Sequence, residues 1–101
     1  MREARDVAAD LQPWLQPKDA IISPLGIAIL EYYFRLDDFK VDDLYLRTND
    51  DDVNRVFALV NRAELSLPQV LERYGYTLAE VSEPTLLRQY ESYDLYLLTK
   101  Q

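Results

Sequence analysis

The chain has 101 residues, 49% of them apolar and 29% charged, which suits a single folded domain with a modest core and argues against a disordered tail. Eighteen acidic against eleven basic side chains leave a net charge of −7, which opposes nucleic acid or an anionic membrane surface as partner, since either needs clustered Lys and Arg. The absence of Cys and His removes disulfides, thiolate chemistry, the commonest general base and the usual zinc ligands. No apolar run approaches the roughly 20 residues that cross a bilayer. Met1 is followed by the charged run Arg2 to Asp6 rather than by the apolar core of a secretory signal, so a soluble chain is expected.

Val7, Ala8, Leu11, Trp14 and Leu15 recur at helical spacing, and an amphipathic helix is expected from Arg2 to Leu15, ended by Pro17. Ala20 to Ser23 is a short β-branched run that suits a buried strand. Ser23 before Pro24 reads as the cap and first position of a second helix that turns Ile27, Leu30, Tyr33 and Phe34 inward and ends near Leu36, at Asp37 and Asp38. Lys40 to Arg47 reads as a second strand, and Arg55 to Asn61, the most apolar short run, as a central one. Ser66-Leu67-Pro68-Gln69 matches a capping box, with Val70, Leu71 and Tyr74 inward and Gly75 as the left-handed residue that closes the helix. Thr77 to Glu80 repeats the box in one turn. Thr85 to Tyr90 and Tyr93 to Thr99, separated by Glu91 and Ser92, read as an antiparallel hairpin. The expected fold is therefore α/β: a small three-layer sandwich with a mixed sheet of about five strands, parallel in the middle and antiparallel at the carboxyl edge.

Chemistry-bearing residues are sparse. Asp50, Asp51 and Asp52 form an acidic turn whose oxygens suit a hard divalent cation. As a calcium loop it lacks the glycine and the glutamate at its sixth and twelfth positions, where Arg55 and Asn61 stand, so a solvated acidic turn is the plainer reading. The turn after the first strand, with Ser23 and Gly26, lies where doubly wound folds bind ligands, and Asn61 ends the central strand beside it. Eight tyrosines and one tryptophan give a second candidate surface, around Tyr32, Tyr45 and the Asp50 turn, for a basic protein partner. Tyr93 and Tyr96, three apart in one strand, must point to opposite faces. No residue is singled out as catalytic, and no cofactor is implied.

Three stretches taken together add a likeness. Arg5-Asp6-Val7-Ala8-Ala9-Asp10-Leu11, then Leu15-Gln16-Pro17-Lys18-Asp19-Ala20-Ile21-Ile22, and the aromatic helix segment Glu31-Tyr32-Tyr33-Phe34 stand in one order. A strand ending in Val60-Asn61, the segment Leu67-Pro68-Gln69-Val70-Leu71, and Asp94-Leu95-Tyr96-Leu97-Leu98 after Ser82-Glu83-Pro84 complete the pattern. The chain resembles the soluble carboxyl-terminal domain of dolichyl-phosphate-mannose protein mannosyltransferase-like enzymes, polytopic membrane glycosyltransferases of the GT-C class. The resemblance implies a non-catalytic, extracytoplasmic domain that packs against the transmembrane part of its own polypeptide or another protein. The catalytic carboxylates of that class lie in loops between membrane helices, so none is carried onto this chain. No membrane helix stands before Met1, which implies either a start within a longer protein or a stand-alone chain that shares only the fold. A stand-alone acidic protein-binding module, in the cytoplasm or outside it, and a small ligand-binding domain remain as alternatives.

Overall fold

Alternation along the strands sorts the core into two layers. In the computed structural model, which describes residues 3–24 and 26–101, Ile21, Phe57, Leu59, Tyr93 and Leu95 point to one face of a five-stranded sheet and Ala20, Ile22, Val56, Ala58, Val60 and Leu98 to the other. The strands are β1 (Asp19–Ile22), β2 (Tyr45–Leu46), β3 (Arg55–Asn61), β4 (Thr85–Gln89) and β5 (Tyr93–Thr99), in the spatial order β2-β1-β3-β5-β4. β1 pairs in parallel with both β2 and β3, whereas β5 is antiparallel to β3 and β4. Helices α1 (Ala4–Leu11) and α2 (Ile27–Leu36) cover the first face, and α3 (Leu67–Arg73) covers part of the second. The result is the expected three-layer α/β sandwich with a mixed sheet.

Several local signals act as read. Ser66 caps α3, its hydroxyl accepting from the Gln69 amide at 3.4 Å while the Gln69 side chain accepts from the Ser66 amide at 2.8 Å. Gly75 follows that helix at φ 82°, and the Thr77–Glu80 box heads a 3₁₀ turn over Leu78–Glu80. Tyr93 belongs to the α1 and α2 face and Tyr96 packs half-buried on the α3 face.

Other boundaries differ. α1 stops at Leu11, not Leu15, because Pro13 has no amide to continue the ladder; Arg2 lies outside the described residues. β1 takes in Asp19 and ends at Ile22, and α2 starts at Ile27, capped by Gly26 at φ 91° rather than by Ser23. The expected strand over residues 40–47 shrinks to Tyr45–Leu46, since Leu44 donates back to Val41 in a turn and only Ala20 and Ile21 of β1 face it. Leu87 is an extra residue in β4, a bulge that bends this edge strand.

Candidate functional site

The carboxyl ends of β1 and β3 bring Pro24, next to Ser23, and Asn61 to one small cavity, whereas Gly26 is placed only as the cap of α2. The Ser23 carbonyl accepts from the Tyr74 hydroxyl at 2.6 Å, with the residue 1% exposed. Burial is the main cause that raises the Tyr74 phenol above its ordinary value. Asn61 turns its side-chain oxygen back to accept from the Ala63 amide at 3.0 Å. Between Pro24, Asn61, Glu64, Leu65 and Tyr93 lies a cavity of about 10 Å³, room for one water molecule and not for a metabolite.

The second candidate surface does not form as one patch. Tyr32 is 52% exposed on α2, over the first face of the sheet, whereas Tyr45 packs on the α3 face. Tyr45 donates to Asp52 at 3.3 Å, and burial, then Asp50 and Asp52, push its phenol above the ordinary value. In the acidic turn the Asp50 carboxylate accepts from the Asp52 amide at 2.9 Å, and Lys18 pairs with Asp52 at 3.3 Å. Lys100 donates to the Asp50 carbonyl and to Asn49 Oδ1, both at 2.6 Å. The Asp50 and Asp52 carboxylates therefore serve separate local bonds, and among the described residues no group of three or more acidic side chains converges as a metal centre requires.

Two grooves were not legible in the sequence. The first, about 260 Å³, lies where Pro13 cuts α1 short; Leu97 on β5 forms its floor beside its fully buried cross-strand partner Phe57 on β3, with Trp14, Leu87 and Arg55 around it. Arg55 is fixed by Asp19, donating from Nε at 2.9 Å and from Nη2 at 2.7 Å, and by a further Nη2 bond to the Trp14 carbonyl at 2.8 Å. The Asp19 hydrogen bond is the leading cause that raises the Arg55 guanidinium further above its ordinary value, against the opposing effect of burial. Arg55 lies 5.2 Å from the Phe57 ring centroid, and Arg88 lies 5.8 Å from that of Trp14. The signal available in the sequence was a charged residue heading each of two apolar strands, Asp19 and Arg55.

The second groove, about 320 Å³, opens on the α3 face between α3, the 3₁₀ turn and the end of β5. Leu67, Leu71, Val81 and Leu98 line it, Leu78 at its margin is 64% exposed, and Glu83 stands on its rim. Leu86, which pairs with Tyr96 and so points to the same face of the sheet, is 45% exposed on β4. α3 is too short to cover β5 and β4.

Among the described residues no helix is long and apolar enough to cross a membrane. Comparison of the chain with models of known protein families, with curated proteins and with solved structures finds no match.

Proposed function

We propose that this chain is a non-catalytic interaction domain, the soluble extracytoplasmic part of a membrane-bound glycosyltransferase that uses lipid-linked sugars. The observation that carries the reading is the apolar groove beside α3, with Leu78 and Leu86 exposed at 64% and 45% next to an unpaired strand edge. Exposed apolar surface of this kind, rimmed by charge, marks a contact site. Its occupant is an apolar segment with basic flanks from the transmembrane part of the same polypeptide, because Glu83 on the rim and a net charge of −7 favour a basic complement. The family resemblance supplies the setting.

A photo-activatable cross-linker at position 78, with one at position 32 as control, tests this in fractionated cells of the source organism. The expected result is a membrane-bound species much larger than this chain, cross-linked within itself from position 78 and not from position 32. A soluble species of the chain's own mass overturns the glycosyltransferase setting, and cross-links from position 32 alone overturn the docking face.

A further inference from the structure

We propose that the groove beside Trp14 binds a small apolar monocarboxylate, its ring or hydrocarbon tail laid between Trp14, Leu87 and Leu97 and its carboxylate held by Arg55. The groove is on the opposite face of the sheet from the α3 groove, so it is independent of the docking reading above. Its volume, about 260 Å³, is just below the usual range for small-ligand pockets and far too small for a folded partner.

The recognition chemistry comes from the guanidinium. Nε and Nη2 of Arg55 are used by Asp19 and the Trp14 carbonyl, whereas Nη1 makes no hydrogen bond among the described residues. Since no buried side-chain nitrogen or oxygen among them lacks a partner, Nη1 is open to solvent, on a side chain that lines the groove. Its two N–H groups remain free for a ligand, and a carboxylate answers them best, because it alone adds an opposite charge and two acceptor oxygens to the charge-assisted bond that a guanidinium donates. A second guanidinium, Arg88, lies over the same Trp14 ring and uses only Nε, toward Asp10 at 3.4 Å. Three bonds hold Arg55 in place before any ligand arrives, so little ordering entropy remains to be lost on binding.

Trp14 is the chain's only tryptophan, and its emission reports the groove directly. Titration of the whole chain with 3-phenylpropionate is expected to change that emission saturably, with a Kd below about 1 mM, and to raise the melting temperature as binding to the folded state requires. The matched amide, 3-phenylpropionamide, is expected to bind about tenfold more weakly. Leu97→Phe, which fills the floor, is expected to abolish the response, and perturbation of the Trp14 indole and Arg55 guanidinium NMR signals in the unmutated chain gives the same answer if that variant does not fold. No saturable change up to about 10 mM, equal binding of acid and amide, or a response that survives Leu97→Phe in a folded variant each overturns the proposal.

Discussion

Asp19 and Arg55 are register partners across β1 and β3, and the guanidinium closes on the carboxylate with two bonds, of 2.9 and 2.7 Å. The Gln16 amide donates to the same carboxylate at 2.8 Å, so the loop after α1, the sheet and the floor of the Trp14 groove are held at one point. The carboxylate is 1% exposed and its partner's side chain 26%.

That asymmetry predicts unequal costs. Arg55→Leu leaves a buried carboxylate without its counter-charge and is expected to cost about 3–5 kcal/mol in urea unfolding at unchanged slope. Asp19→Asn leaves a guanidinium that still reaches water and is expected to cost less. Combining Asp19→Leu with Arg55→Leu is expected to cost less than the sum of the two single leucine replacements; additive losses would show that the pair is not coupled.

Arg62, just past the end of β3, holds the hairpin turn closed. Its Nη1 donates to Asp94 at 2.7 Å and to the Tyr93 carbonyl at 3.1 Å, and its Nη2 to the carbonyls of Tyr90, at 3.0 Å, and Glu91. Arg62→Ala is expected to cost about 1.5–3 kcal/mol and to speed amide exchange at residues 90–94 before the rest of the sheet. Arg62→Lys is expected to recover little, since one ammonium cannot span four acceptors in a planar fork. Uniform exchange across the sheet would count against this local role.

Alkaline pH should unfold the domain through its tyrosines. Burial is the main cause that pushes the Tyr76 and Tyr90 phenols well above 10.0; Asp10, which accepts from Tyr90 at 2.8 Å, adds to the second. An acid whose folded value is raised keeps its proton longer in the folded state, so this stability is fully present below the unfolded value near 10.0 and falls as pH rises beyond it. Urea midpoints are expected to be level between about pH 8 and pH 9.5 and to drop above about pH 10. Tyr90→Phe should lower the plateau and flatten the drop; an unchanged alkaline slope in that variant would sink the assignment.

Gly75 and Ser66 bracket α3 with opposite requirements. At φ 82°, Gly75→Ala is expected to cost about 1–2 kcal/mol, although a β-carbon there meets only Asn49 Cβ at 3.9 Å, because the left-handed conformation and not crowding sets the cost. Ser66→Ala removes a cap and is expected to cost about 1 kcal/mol. Thermal melts of the two variants and their combination should add, as the sites share no partner.

The amino-acid sequence by itself determined the order of elements, the central strand Arg55–Asn61, the Ser66–Gln69 capping box, the turn at Gly75, the hairpin and the opposite faces of Tyr93 and Tyr96. Those features depend on hydrogen bonds and side-chain periodicities that close within a few residues, so the local residue pattern contains all that is needed. Ser23 misled because a serine before a proline is a good cap in isolation, whereas here Gly26 turns the chain three positions later. The strand expected from Lys40 failed because an edge strand exists only as far as a neighbour pairs with it, and β1 offers Ala20 and Ile21 alone.

Only the tertiary structure decided the candidate sites. It put Tyr32 and Tyr45 on opposite sides of the sheet, nearly closed the space beside Asn61, and assembled one groove from Trp14, Arg55, Phe57 and Leu97 and another from Leu71, Leu78 and Leu98. Each of these residues reads locally as an ordinary core, surface or strand position. Their meeting follows from how far α1 and α3 extend across a shared sheet, and covering a surface is a property of packed layers that no short window of sequence carries.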